Sequence, residues 1–258
     1  MRAHIEAIGV LAPGITGWEE ARAVVSGERA LVPAPVTPPA PKCLPPAERR
    51  RSSATARLAI AAAEQALEAS SLAAPDMAMV FAASEAAGDI THQLCEVLAG
   101  TREVSPTLFH NSVHNAPQGY FSIATGARLS GTSLCRGEWT FATGIAYAAL
   151  QAEGDARPVL FVSYDTPLPP PLRATMPIVE STAIALILSP VATAQTLATW
   201  ELSLVARSNG DAWPAWIPAS WHANASARGF AALGACMNPA PVRLPFSPEL
   251  DLEVRCVP

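Results

Sequence analysis

The chain has 258 residues, half of them hydrophobic, 15% charged and 6% aromatic; it is long enough for one large or two small domains with a sizeable core, and neither fibrous nor disordered. A net charge of -5 and an isoelectric point near 5.5 exclude the basic stripe of a phosphate-backbone binder, so nucleic acid is not an expected partner. Five widely spaced cysteines (Cys43, Cys95, Cys135, Cys236, Cys256), with no C-x-x-C pair, indicate neither a disulfide framework nor a zinc ribbon and fit a reducing cytoplasm.

Residues 1–14, MRAHIEAIGVLAPG, carry Glu6 inside an apolar stretch that a signal peptide would keep uninterrupted, so HIEAIGVLA is expected as a first strand. PGITG turns the chain into a short helix, WEEARAVVSGE, ended by Gly27. Seven prolines in the fourteen positions 33–46 forbid helix and sheet interior and predict an extended surface insertion. The segment ERRRSSATARLAIAAAEQALEASSL is expected as the longest helix, capped by Ser52 or Ser53, with Ala56, Ala59, Ile60, Ala63 and Leu67 at helical spacing. Its nearly all-alanine face asks for a very close neighbour.

DMAMVFAAS reads as a buried strand and GDITHQLCEVLAG as a helix ended by Gly100, while the Asn-Ala-Pro-Gln-Gly stretch of SPTLFHNSVHNAPQGYFSIATG breaks or starts a helix. GTSLCRG is a short strand, EWTFATGIAYAALQAEGD a helix, and RPVLFVSYD and STAIALILSP two strands. Beyond Pro190 the periodicity weakens: TWELSLVARS suits a strand, ASARGFAALGACM a helix and VRLPFSPELDLEVRCV a closing hairpin, with no clear period from Trp213 to Trp221. The alternation predicts a layered α/β fold, a mixed sheet covered by helices. No apolar run approaches the roughly 18 residues of a membrane span. There is no G-x-S-x-G elbow, P-loop or G-x-G-x-x-G.

Four stretches carry a resemblance: IEAIGVLAPGITGWEEARAVVSGE, RRRSSATARLAIAAAEQAL, the long block from SPTLFHNSVHNAPQGYF through GTSLCRGEWTFATG to VLFVSYDTPLPPPL, and STAIALILS. Together they cover most of residues 1–190, and the long middle block is the specific one. The chain resembles the N-terminal half of β-ketoacyl synthases, with their thiolase fold, and within that family the small chain-length factors of bacterial aryl polyene pathways. The resemblance implies a single ketosynthase-like domain over residues 1–258, with 33–46 as a proline-rich surface insertion and 191–258 as a C-terminal extension. In active members a cysteine nucleophile opens the helix after the short strand. Counting back from VLFVSYD puts that position on Glu138, a residue that a helix start favours but that cannot be acylated as a thiol can. Two catalytic histidines expected in the C-terminal half have no counterpart, since only His222 lies beyond position 114.

The resemblance therefore implies a non-catalytic subunit that shapes its partner's acyl tunnel and so limits or permits chain growth. It implies that Gly131 to Arg136 pairs with its counterpart in an active β-ketoacyl synthase, and that Thr132, Ser133, Leu134, Cys135, Arg136, Glu138, Asn111, His114 and Asn115 line an interface or acyl tunnel. No cofactor is expected on this chain; the acyl carrier protein and its phosphopantetheine arm serve the partner enzyme, and a cytoplasmic location follows. The rival reading makes Cys135 the nucleophile of an acyltransferase or hydrolase, against the simpler view of an inert cysteine in a short buried strand.

Other features have two readings each. His110 and His114 have the i, i+4 spacing of metal ligands on a helix, or serve as hydrogen-bonding residues of an asparagine-rich loop. Arg49, Arg50 and Arg51 suit an acidic carrier protein or a solvated surface. Trp213, Trp216 and Trp221 suit a partner surface or a core beneath a loop. Asp165 ends a strand, where α/β folds bind ligands, but has no visible partner.

Overall fold

The computed structural model describes residues 1–85, 87–208, 213–237 and 240–257. In chain order the elements are β1 (Arg2–Leu11), α1 (Trp18–Val25), α2 (Pro46–Arg51), α3 (Ala54–Glu68), β2 (Ala78–Ala82), α4 (Gly88–Ala99), α5 (Pro106–Ser112) and α6 (Ala116–Thr125). There follow β3 (Gly131–Leu134), α7 (Thr140–Asp155), β4 (Val159–Asp165), α8 (Pro170–Arg173), β5 (Thr182–Ser189), β6 (Ala198–Ala206), α9 (Arg228–Gly234), β7 (Val242–Pro245) and β8 (Leu250–Val257). The strands form one eight-stranded sheet in the order β3-β2-β4-β5-β1-β6-β8-β7. β2 runs parallel to β3 and β4, and the other neighbours are antiparallel. This is the expected mixed sheet covered by helices.

Alternation along the strands sends side chains to two helix layers. Leu160, Val162 and Tyr164 of β4 meet Ala56, Ala59, Ile60 and Ala63 of α3 in one core. Val159 and Phe161 face the opposite core, with Phe141 and Ile145 of α7 and Phe230 of α9. The all-alanine face of α3 has its close neighbour in β1, where a Cβ added to Gly9 would lie 2.1 Å from the Ala62 carbonyl oxygen. Gly144 does the same for α7, since a Cβ there would lie 2.6 Å from the Phe161 ring. Small residues thus set the spacing between layers.

Glu6, which breaks the apolar pattern of β1, sits where the β1–β5 register shifts between Ile5 and Ala7. The bulge lets its buried carboxylate accept hydrogen bonds from Thr193 Oγ1 (2.6 Å) and Thr196 Oγ1 (2.7 Å).

Three sequence expectations need correction. The arginine-to-alanine segment is two helices, because Ser52 and Ser53 are both extended and Ser53 Oγ caps α3 by accepting the Ala56 N–H at 3.0 Å. The longest helix is consequently α7, with 16 residues against 15 for α3. The strand expected over Gly131 to Arg136 stops at Leu134.

Of the tryptophans of the irregular segment, one fills the core and two pack against it half-buried, lining a cavity. Trp221 is fully buried, and Trp216 packs edge-on against Trp221 and Phe230. Trp213 stacks on His222 at 4.5 Å, with the Arg228 guanidinium 3.8 Å from its ring centre. No described helix is long and apolar enough to cross a membrane.

Candidate functional site

The parallel strands β2, β3 and β4 end together, and the residues just past or at their ends, Ser84, Cys135 and Asp165, gather beside the turn that leads into α7. Carboxyl ends of neighbouring parallel strands are where open α/β sheets place ligands.

Glu138 does not open the α-helix. Gly137 takes a left-handed φ of 55°, and Gly137–Trp139 form a separate 3-10 turn. Thr140 then starts α7, its Oγ1 accepting the Arg136 N–H at 2.9 Å and donating to the Gly137 carbonyl at 2.7 Å. The Glu138 side chain is exposed in that turn, while the Arg136 guanidinium lies 5.4 Å from the Trp139 ring centre.

Cys135 is a second correction: it lies beyond the strand and is exposed, not buried within it. Its thiol donates to the Ser84 carbonyl at 2.9 Å, which joins the ends of β3 and β2. Within β3, Thr132 Oγ1 lies 3.2 Å from the Tyr147 hydroxyl of α7, Leu134 packs on the core, and the buried Ser133 hydroxyl has no partner among the described residues.

Asn111, His114 and Asn115 part company. Asn111 is buried: its Oδ1 accepts the Ser53 N–H at 3.1 Å, and its Nδ2 donates to the carbonyls of Arg51 (2.9 Å) and Thr107 (2.8 Å). It fastens α5 to the α2–α3 junction. His114 lies past the end of α5, so it and His110 do not share a helix face; His110 instead stands edge-on to Tyr120 at 5.3 Å. The His114 imidazole is half-buried, its Nε2 has no partner among the described residues, and burial holds its pKa below the usual histidine value. Among the described residues no cluster of His, Cys, Asp or Glu could hold a metal ion. Asn115 is exposed at the start of α6, on the rim of an apolar cavity of about 390 Å³ walled by Leu44, Pro45, Val113, Tyr120 and Ile123.

Asp165, which the sequence leaves without a partner, has two. Its oxygens accept the N–H groups of Ser84 at 2.8 Å and Ser226 at 2.9 Å, and its complete burial raises its pKa to about 6. Ser226 and Asn224 continue the network to Thr182, with Thr182 Oγ1 donating to Asn224 Oδ1 at 2.9 Å. Sequence reasoning missed Ser84, Ser226 and Tyr164. The buried Tyr164 hydroxyl has no partner among the described residues, and burial raises its pKa. No local signal marks them, since their partners lie far along the chain. Of the arginine run, Arg49 donates to the Leu44 carbonyl at 3.0 Å and Arg51 pairs with Glu48 at 3.4 Å, which ties part of the run into its own helix.

The other feature of this end of the molecule is an edge. Among the described residues β3 pairs only with β2, so its outer side carries open main-chain groups. Tyr147 (43% exposed) and Leu150 (56%) of α7 and Ile123 (85%) of α6 are apolar side chains exposed on the helices that flank it. Gln118 of α6 lies over Gly131, where an added Cβ would lie 1.9 Å from Gln118 Nε2.

None of the curated proteins matches this sequence. Solved structures do. A chain of the complex of the ketosynthase ApeO with its chain length factor ApeC from Xenorhabdus doucetiae superposes with a TM-score of 0.75 at 22% identity, over 99% of both chains. The ishigamide ketosynthase/chain length factor gives 0.63 at 12% identity, over 79% of this chain and 68% of that one. A chain of the AntDE:AntF complex, a type II polyketide synthase acyl-carrier protein with its ketosynthase bound to the hexaketide, gives 0.61 at 14% identity, over 80% and 70%. At these identities the likeness is one of fold. Residues 18–225, well over half of the chain, match the family model of the β-ketoacyl synthase N-terminal domain, and the chain belongs to that family.

Proposed function

We propose that this chain is a non-catalytic ketosynthase-like subunit, a chain-length factor, that pairs with a cysteine-bearing β-ketoacyl synthase and walls its acyl tunnel during synthesis of a polyene or related acyl chain. The observation that carries the reading is the open edge of β3 between exposed apolar side chains on α6 and α7. A sheet edge left open in this setting is an aggregation hazard unless a second strand covers it. A strand of the partner, added across a two-fold-like axis, would satisfy its main chain while Ile123, Tyr147 and Leu150 are buried. Glu138 at the position that the family gives to its nucleophile supports the absence of acyl transfer on this chain, since a carboxylate there forms no thioester. The apolar cavity beside Val113 and Ile123 has the lining that an acyl chain needs. A ketosynthase with its chain length factor, and a carrier protein with its ketosynthase, are among the structures of like fold, which supports the same kinds of partner here. No phosphopantetheine or other cofactor is assigned to this chain, and its setting is the cytoplasm.

The rival reading, acyl transfer or hydrolysis on Cys135, draws on the exposure of that thiol. Against it, the thiol hydrogen is given to the Ser84 backbone carbonyl, which is not a general base. Recovery of tagged protein from its own host, with native mass spectrometry of what comes with it, tests the proposal. A one-to-one complex with a cysteine-bearing ketosynthase is expected, with product formation unchanged by Cys135→Ala. A lone chain or self-dimer overturns the pairing, and loss of turnover in Cys135→Ala moves the chemistry to that thiol.

A further inference from the structure

Two of the cysteines meet far from the strand ends just described, on the α9 face of the sheet. Cys256 of β8 is paired directly opposite Trp200 of β6, so both side chains leave the ladder on the same face. Cys236 comes just after α9, next to its C-cap residue Ala235, and its Sγ accepts the Trp200 indole N–H at 3.1 Å. The Trp200 ring is fully buried, which fixes the position of the sulfur that it binds. Cys236 and Cys256 thus both stand beside the Trp200 side chain on one face of the sheet, and neither is bridged. Both pack against the same core while staying partly exposed. Two partly exposed thiols beside one fixed side chain are an arrangement that a reversible cross-link can close.

We propose that Cys236 and Cys256 are a redox pair that closes to an intramolecular disulfide when the chain meets a small-molecule disulfide such as oxidised glutathione. Cys256 attacks one sulfur of the glutathione disulfide; the S–S bond breaks, one glutathione leaves, and a Cys256–glutathione mixed disulfide remains. Cys236 then attacks the Cys256 sulfur and expels the second glutathione. Two protein thiols are oxidised by two electrons, one glutathione disulfide is reduced by the same two, and the two thiol protons end on the two glutathiones. Burial pushes the Cys236 thiol up to about 12, so Cys256 starts the exchange, and Cys236 attacks only once the mixed disulfide is held beside it. The bridge ties the end of α9 to β8, and through it staples the β6–β8–β7 part of the sheet to the helix that covers it.

The test uses the purified full chain in buffers of increasing oxidised-to-reduced glutathione ratio, trapped with N-ethylmaleimide and mapped by peptide mass spectrometry. The expected result is a Cys236–Cys256 linked peptide that grows with oxidised glutathione, disappears on reduction, and accompanies complete loss of maleimide labelling at both sites. In Cys236→Ala the expected product is Cys256 carrying one glutathione. Wild-type chain in which Cys256 accumulates the mixed disulfide without passing it to Cys236, or in which both thiols stay open to maleimide at the highest ratio, overturns the proposal.

Discussion

The buried carboxylate of Asp165 accepts the backbone N–H of Ser226 at 2.9 Å, and so ties the end of β4 to the turn that precedes α9. With the Ser84 N–H on its other oxygen, one side chain joins three separate segments at the ends of the strands. Its pKa lies at about 6, above the ordinary 3.8, chiefly because burial penalises the charge. A folded-state value above the unfolded one means that the native state holds the proton longer. The contribution of Asp165 to stability is therefore greatest in acid and falls as pH rises from about 4 through about 6. Asp165→Asn removes that dependence, and it turns one acceptor into a donor facing an N–H, at a cost of about 1–3 kcal/mol. Urea unfolding of both proteins is expected to show a deficit of the variant that is larger at pH 5 than at pH 7; a deficit that grows with pH would contradict this.

Gly9→Ala drives a methyl group into the Ala62 carbonyl, where backbone meets backbone and no side chain can swing away. Overpacking of this kind costs about 1–3 kcal/mol. A lowered thermal midpoint is expected for Gly9→Ala and no comparable change for Gly154→Ala, since nothing lies within 4 Å of a Cβ built there.

Asn111→Ala removes the two hydrogen bonds that hold α5 to the α2–α3 junction, and a third within α5, and leaves the Ser53 N–H without its acceptor. The loss is expected at about 1–3 kcal/mol. Its signature is local: amide exchange accelerates at Ser53 and along α5, while β4 and β5 keep their protection.

Leu150→Glu separates pairing from folding. The side chain is 56% exposed, so the stability of the isolated chain is expected to shift by no more than about 0.5 kcal/mol. Beside the open β3 edge, a carboxylate would be buried against the partner, and the one-to-one complex with the ketosynthase is expected to be lost in native mass spectrometry. A complex that survives Leu150→Glu would locate the pairing surface elsewhere.

Glu138→Trp probes the tunnel. If the turn before α7 faces the growing chain across the interface, a bulky ring there shortens the products of the reconstituted pair, read by chromatography and mass spectrometry. Unchanged products would leave the chain a scaffold without a tunnel wall.

By itself the sequence determined the kinds of element and their layering. Alternating apolar runs and helical spacings are local patterns, and so the strands from HIEAIGVLA to the closing hairpin lie where those patterns put them. The alanine face of the third helix announced a close neighbour in the same way, and Gly9 proved to be it. Serine's preference for capping also announced a helix start at Ser52 or Ser53, but the break there depended on both serines being extended, which separates the arginines from the alanines. Only the tertiary structure decided what the candidate residues do. Asp165 gained Ser84 and Ser226 as partners because β2, β4 and the turn before α9 converge, and those contacts span many residues of chain. Cys135 became exposed because β3 is at the edge of the sheet and ends at Leu134, and Asn111 became a fastening because α5 packs against a junction that the sequence had read as continuous helix. Periodicity reports the face that a residue occupies; the strand order and the long-range hydrogen bonds decide what that face meets.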